Sequence, residues 1–384
     1  MRHVHVITPG DHFSPSTGSA VPTVVNGLCY GLPPGEIRPA VVVARGTYAD
    51  RYPSAEAIEY VEAPRLAAPV QRVAKLIDGA GSRTIARRPM TERSWRATLA
   101  GQRAWPASIV MGHNAPQMPR LVDANRHRPV LYAHNHVLRS YTKLEVGRVL
   151  DKVSTIVAVS DALAAQLSDH LPSRMHSRVV VVRNGVDVGF FRRPKPIGPR
   201  QGPLQVTFLG RMIWEKGPDV LVDAVARMRQ REVVVTLVGS SGFSETDPLT
   251  PFEERLHREA AGVSDRVHLS PFVPRFEVRD LLHQTDVLVV PSRWPDPFAL
   301  TVLEGMAAGA VVIGSHIGGI PEAMGPAGLS VPPDDPAALA DALDSLVEDD
   351  TNRRMLATAG VEYAMTRDWS VVSAELVSAL EQRT

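Results

Sequence analysis

The sequence holds a single cysteine, Cys29, in 384 residues. A lone thiol excludes an intramolecular disulfide framework and any cysteine-built zinc site. Charge of one sign is missing as well. The 42 Lys+Arg stand against 41 Asp+Glu, a formal net charge of +1, so no global field recruits nucleic acid. No apolar run approaches the roughly 18 residues needed to span a bilayer. The first residues, Met1-Arg2-His3-Val4-His5-Val6-Ile7, offer neither an apolar h-region nor a cleavage signal and read as an immediate strand. These absences, with a length that suits two domains, lead to the expectation of a soluble, cytoplasmic, two-domain protein.

What is present is ordinary globular composition, 44% hydrophobic against 22% charged, which excludes wholesale disorder. Short β-branched runs alternate with longer helical patterns. In the first half the runs are His3–Thr8, Ala40–Ala44, Ser108–Met111, Val130–His134, Thr155–Val159 and Val179–Arg183. In the second they are Leu204–Gly210, Val233–Gly239, Arg266–Leu269, Asp286–Pro291, Ala310–Gly314 and Gly328–Val331. Near-continuous apolar strands alternating with helices predict parallel sheets covered on both faces. The stretch from Arg192 to Pro203 is rich in Pro, Gly and charge and reads as a linker between two Rossmann-like series. The expected division is a first domain over 1–187, a linker over 188–203 and a second domain over 204–365.

One segment departs from the charge balance. Arg65, Arg72, Lys75, Arg83, Arg87, Arg88, Arg93, Arg96 and Arg103 face only Asp78 and Glu92. The segment 65–103 reads either as a solvated helical face with a mobile loop or as a docking surface for phospholipid headgroups or a phosphorylated acceptor. Its one aromatic, Trp95, gives no stacking series for nucleic acid.

Ligands of open α/β sheets bind at the carboxyl ends of strands, so the residues after each strand carry the chemistry. After Leu204–Leu209 comes Gly210-Arg211-Met212-Ile213-Trp214-Glu215-Lys216-Gly217-Pro218. Pro218 suits a first helical turn, so Arg211 and Lys216 become two cations beside a helix N-terminus, a diphosphate site. After Asp286–Val290 comes PSRWPDPFALTVLEGMAAG, with Asp296 ahead of a helix and Glu304 inside it. A carboxylate in an apolar helix needs donors, and vicinal ribose hydroxyls are a natural pair. Gly318-Gly319 in the next loop lets backbone N–H groups approach a phosphate or sugar. In the first half, Thr17-Gly18-Ser19-Ala20 centres a loop resembling a phosphate cradle, though it is neither a P-loop nor G-x-G-x-x-G. His113-Asn114 and His134-Asn135-His136 are polar strand ends. The His134/His136 pair lacks a third metal ligand cluster, and no nucleophile elbow points to a hydrolase.

Together Gly210-Arg211-x4-Lys216-Gly217, Asp296-x7-Glu304, Gly318-Gly319-Ile320-Pro321-Glu322 and Asn184-Gly185-Val186-Asp187 resemble glycosyltransferase family 4. The resemblance is specific over Val179 to Ser330 and looser before it. It implies a GT-B fold, two Rossmann-like domains facing a cleft, with the final helix around Trp369–Glu381, within 366–384, crossing back onto the first. It implies a metal-independent enzyme that retains anomeric configuration and needs no cofactor. The enzyme would move an α-linked sugar from a nucleoside-diphosphate sugar, UDP foremost, to a hydroxyl acceptor. Arg211 and Lys216 would bind the diphosphate, Glu304 the ribose, and Gly318 and Gly319 the donor sugar or phosphates. Val273 would border the base, Thr301 would join the donor set, and Gly18 and Ser19 would meet the β-phosphate. His134 and Asp296 would stand at the reacting sugar, with Arg211 and Lys216 offsetting leaving-group charge. Two positions depart from the family pattern: Asp296 stands for the usual Glu, and Ala299 for the following Gly.

The acceptors this reading admits are an envelope glycan, a lipid-linked or exopolysaccharide precursor, or a small natural product. A peripheral contact at the inner face of a membrane would come through the basic segment. Three rival readings share parts of the pattern. They are a GT-B sugar-nucleotide 2-epimerase, a non-catalytic nucleotide-sugar-binding protein, and a dehydrogenase that would lack its dinucleotide fingerprint.

Overall fold

The first strand and the residue just beyond it enter two different cores, and this sets the architecture of the first unit. The computed structural model describes residues 1–64, 67–194, 197–242, 248–263 and 265–382. Arg65 of the basic segment and Lys195-Pro196 of the expected linker lie outside these. In β1 (Arg2–Val6), Val4 and Val6 pack with Ala40, Val42, Trp95 and Val110 on one face. Ile7, just beyond it, packs with Val41, Val43, Phe13 and Val25 on the other. A strand buried on both faces reads as a continuous apolar run, which is why Ala40–Ala44 is legible as a strand at a glance.

Among the described residues the first sheet contains β1, β2 (Ala40–Ala44), β3 (Glu56–Tyr60), β4 (Ser108–His113), β5 (Arg128–Ala133), β6 (Thr155–Ala158) and β7 (Val179–Val181). Its order is β3-β2-β1-β4-β5-β6-β7, and every pairing is parallel. The second holds β8 (Leu204–Leu209), β9 (Val233–Val238), β10 (Val267–Ser270), β11 (Val287–Val290), β12 (Val311–Ser315) and β13 (Leu329–Val331). Its order is β10-β9-β8-β11-β12-β13, again parallel throughout. Strand order reverses between β1 and β4 and again between β8 and β11. These are the switch points where loops on either side diverge and leave a crevice.

β3 was not anticipated. Its sequence, Glu-Ala-Ile-Glu-Tyr, carries two carboxylates and is only partly buried. It is an edge strand, and charge on an edge discourages pairing with another chain.

The chain divides into a first unit, Met1–Arg183 with Trp369–Thr384, and a second, Asn184–Asp368. Val186 bridges Asp368 where the chain enters and leaves the second unit. Residues 188–203, expected as linker, begin with a short helix, Val188–Phe191. The described residues after it, 192–194 and 197–203, form no helix or strand, and Arg193 fastens them to the second unit. Arg193 donates to the carbonyls of Ala308 at 3.0 Å and Thr285 at 2.7 Å. No described helix is long and apolar enough to cross a membrane.

The helix Trp369–Glu381 packs within the first unit. Its Ser373 hydroxyl donates to Leu28 O at 3.0 Å, and the Trp369 ring lies flat on Gly27 of the helix Ala20–Tyr30. A Cβ at Gly27 would sit 2.1 Å from that ring. Gly27→Ala is therefore expected to destabilise the first unit by roughly 1–3 kcal/mol, measured by urea unfolding. Adding Trp369→Ala should recover part of that loss, because the two side chains compete for one space.

Candidate functional site

Three loops meet at the carboxyl edge of the second sheet, and glycines make the meeting possible. Gly217 ends the β8 loop with φ +68°, and a Cβ there would lie 2.1 Å from Pro291 O of the β11 loop. Gly318, after β12, has φ +60°, and its Cβ would press within 2.6 Å of Asp296 O. L-residues with side chains disfavour this left-handed region. The loops are also sewn by backbone hydrogen bonds. Arg293 N donates to Glu215 O at 2.9 Å, and Gly319 N donates to Asp296 O at 2.7 Å.

These contacts bring Lys216, Asp296, Gly318 and Gly319 together on either side of the β8/β11 switch point. Lys216 Nζ pairs with the Asp296 carboxylate, whose other oxygen accepts from Phe298 N at 3.2 Å. Arg211 is exposed at the start of the same loop. Its side chain makes no hydrogen bond or ion pair among the described residues. Arg293, which the sequence reading passed over, braces the arrangement. Its guanidinium grips both oxygens of Asp219 at 2.7 and 3.0 Å and reaches Asp334 at 2.6 Å. It also donates to Trp214 O at 3.0 Å. A bidentate Arg–carboxylate contact fixes geometry as well as charge.

Glu304 sits in the helix Leu300–Ala307, only 4% exposed. A donor from the chain itself answers its buried charge: Arg275 pairs with Oε1 at 2.8 Å. Arg275 opens the helix Arg275–His283 directly after Pro274, so it stands two residues past Val273. The ribose was offered as the natural donor for this carboxylate, and Arg275 is a partner which that reasoning missed. A cation in the first turn of the helix following β10 was the available signal. Val273 and Thr301 are both half-buried, two residues before Arg275 and in the first turn of the Glu304 helix.

In the first unit, Gly18 is exposed and Ser19 is the N-cap of the helix Ala20–Tyr30, which has no acidic residue in its first turn. Ser19 spends its hydroxyl on Asp11 Oδ2 at 3.3 Å. Burial raises the Asp11 carboxyl above its ordinary value, and the Ser19 hydrogen bond opposes part of that rise. His134, just past β5, is 9% exposed. Its backbone N–H donates to Asn114 Oδ1 at 2.8 Å, and Asn114 itself holds a positive φ of 53° after β4.

The basic segment is partly neutralised inside its own unit. Arg87, Arg96 and Arg120 surround buried Glu92, and Arg88 pairs with buried Glu145 at 2.7 Å. Burial works to raise the Glu92 carboxyl, but Arg87 and the neighbouring guanidinium charges hold it below its ordinary value. The helix Ala68–Ile85 is different. It exposes Val70, Val73, Leu76 and Ile77, with Leu76 at 73%, beside exposed Arg72, Lys75 and Arg83.

Residues 191–362 match the family described as glycosyl transferases group 1. D-inositol 3-phosphate glycosyltransferase of Corynebacterium glutamicum is 31% identical over 245 residues, covering 58% of this chain and 57% of that protein. The match thus spans less than two thirds of that relative's length. Glycogen synthase of Mycobacterium tuberculosis is 29% identical over 300 residues, covering 74% and 68%. Among solved structures, Anabaena HepE in complex with UDP superposes with a TM-score of 0.73 at 16% identity over the whole of both chains. Sucrose-phosphate synthase from Thermosynechococcus elongatus does so with 0.73 at 20%, over 100% and 99%. The fold class is therefore α/β of the GT-B type, with a Rossmann-like sheet in each unit.

The glycine contacts carry a testable consequence. Gly318→Ala should cost the second unit roughly 1–3 kcal/mol, through positive φ and the clash with Asp296. Gly262→Ala, at φ −68° with its nearest neighbour 3.3 Å away, should cost much less. Denaturant unfolding of the two variants side by side checks this.

Proposed function

We propose that this chain, whose residues 191–362 match the glycosyl transferases group 1 family, is a glycosyltransferase. It moves a sugar from a nucleoside-diphosphate donor, UDP-linked in the first instance, to a hydroxyl acceptor, with retention at the anomeric carbon and without a metal ion. The observation that carries this reading is the convergence of Lys216, Asp296, Gly318 and Gly319 at the switch point of the second sheet, with Arg211 exposed at the start of the loop that carries Lys216. An unpaired arginine, a lysine and the backbone N–H of Gly318 form a donor-rich edge suited to a diphosphate.

In this reading the bond from the anomeric carbon to the diphosphate oxygen breaks as the acceptor oxygen bonds to the same face. The acceptor proton passes to the departing phosphate. Arg211 and Lys216 offset the negative charge that develops there. Lys216 is paired with Asp296, and in this reading Asp296 stands beside the diphosphate cation and next to the donor sugar. Glu304 binds the ribose through the oxygen that Arg275 leaves free, Val273 borders the base, and Thr301 lies at the head of the Glu304 helix. In the first unit, the Gly18-Ser19 loop offers a helix N-terminus to an anionic group, and His134 is a ring at the sheet edge. The acceptor is a glycan, a lipid-linked precursor or a natural-product hydroxyl.

Arg211→Ala or Lys216→Ala should lower turnover with UDP-sugars by about two to three orders of magnitude, with the melting temperature kept. Glu304→Gln should weaken UDP binding in calorimetry, and EDTA should leave wild-type turnover unchanged. Near-normal turnover in both cation variants, or strict dependence on a divalent ion, would overturn the reading. Release of an epimerised donor without any acceptor would favour the 2-epimerase alternative instead.

The helix Ala68–Ile85 supports a second element of the proposal, peripheral contact with an anionic bilayer. Its exposed apolar side chains lie beside exposed cations, the pattern of a helix that rests in a headgroup layer. The protein should sediment with phosphatidylglycerol vesicles and not with phosphatidylcholine vesicles. Val73→Glu with Leu76→Glu should abolish that binding and spare UDP affinity. Equal partition to both vesicle types would remove the electrostatic part of the argument.

A further inference from the structure

The first unit carries a row of three buried histidines that ends at His134. His5 lies in β1, His113 ends β4, and His134 follows β5, and these three strands are adjacent in the sheet. The register places His5 opposite Met111, and His113 opposite Tyr132. Each histidine is therefore two residues beyond its neighbour's partner, on the same face, since side chains alternate along a strand. The result is a diagonal that climbs from the middle of the sheet to its carboxyl edge. The rings join edge to edge: His5 Nδ1 lies 2.9 Å from His113 Nε2, and His113 Nδ1 lies 2.7 Å from His134 Nε2. Successive ring planes differ by only 22° and 21°. Tyr132 covers the upper pair, its ring 5.0 Å from that of His113 and 4.8 Å from that of His134.

Burial dictates the charge state of the row. It pulls His134 down to about 3; burial, with His3 and His134 nearby, pulls His5 to about 3 as well. His113 is lowered well below its ordinary value, by burial first and by both neighbours second. All three rings are neutral near pH 7, so each has one N–H and one lone pair. Both nitrogens of His113 are engaged. The links run Nδ1 to Nε2 in the same sense at each step, so two neutral arrangements satisfy both hydrogen bonds. Either every ring carries its proton on Nδ1, or every ring carries it on Nε2. A mixed row leaves two lone pairs or two protons facing each other in a buried site, which costs at least one hydrogen bond.

We propose that His5 and His113 are positioning residues that lock His134 into the Nδ1–H tautomer and so present a fixed, uncharged donor at the carboxyl edge of the first sheet. The choice of Nδ1–H over Nε2–H rests on the reading of the ligand as a nucleoside-diphosphate sugar. Phosphate oxygens only accept hydrogen bonds, and sugar hydroxyls readily do so. Nδ1 of His134 makes no hydrogen bond among the described residues, so its proton is free for such an oxygen. A histidine held this way donates without becoming an imidazolium and does not switch roles as the pH moves through the neutral range.

The test needs no substrate. Nitrogen-15 labelling of histidine in the full chain, with long-range proton–nitrogen correlation at pH 7, reads the tautomer of each ring directly. Peaks are assigned from His5→Gln, His113→Phe and His134→Gln. The expected result is one tautomer, Nδ1–H, at all three positions. His113→Phe should then release His134 to a tautomer mixture, while His113→Gln, which keeps a donor and an acceptor, should restore part of the Nδ1–H population. With a UDP-sugar, His113→Phe should lower kcat about tenfold or more with KM little changed. An Nε2–H row, a mixed row, or a His134 spectrum indifferent to His113→Phe overturns the inference. Failure to turn over any nucleotide sugar would count against the glycosyltransferase reading and would leave the spectra to stand. If His113→Phe does not fold, His5→Gln reads the same coupling from the far end of the row.

Discussion

The second unit's site depends on the absence of two side chains. A Cβ at Gly217 would strike the Pro291 carbonyl at 2.1 Å, and one at Gly318 would strike the backbone of Pro295 and Asp296 at 2.6 Å. With those glycines in place, the loops after β8, β11 and β12 close on one another at the switch point. Lys216 then meets Asp296, and Gly319 N reaches Asp296 O at 2.7 Å. Arg293 ties the outer side of the same cluster to Asp219 and Asp334. Close backbone approach therefore comes first, and the charge arrangement follows from it.

Buried charge is handled the same way in both units. Glu304 has Arg275, Glu145 has Arg88, and Glu92 has three arginines around it. Leaving any of these carboxylates alone in an apolar setting would be far more costly than pairing it. The histidine row solves the same problem without ions. Burial keeps the imidazoles neutral, and their two hydrogen bonds satisfy the nitrogens that face inward.

The comparisons agree with the part of the chain where the sequence motifs are densest. Residues 191–362 match the family, and they include Arg211, Lys216, Asp296, Glu304, Gly318 and Gly319. The whole chain shares its fold with solved structures at 16–20% identity, while the motifs of the first unit are sparse. This contrast has a physical basis. In the proposed function, the second unit meets a diphosphate, which presents the same oxygens to every protein that binds it, whereas the first meets an acceptor, and acceptors have no common chemistry.

The sequence by itself determined what is local. β-branched apolar runs identified the strands buried on both faces, and the mixed Glu-Ala-Ile-Glu-Tyr of β3 escaped because an edge strand need not be apolar. Pro218 after Gly217 marked a helix start, and with it the position of Arg211 and Lys216 beside a strand end. Only the tertiary structure decided which side chains become partners. Lys216 and Asp296 are 80 residues apart and His5 and His113 are 108 apart. They meet because the β3-β2-β1-β4 and β10-β9-β8-β11 orders set distant strands side by side. Arg275 likewise answers Glu304 from a separate helix. No periodicity encodes such pairings, because a parallel sheet separates neighbours in space by a full crossover or more in sequence.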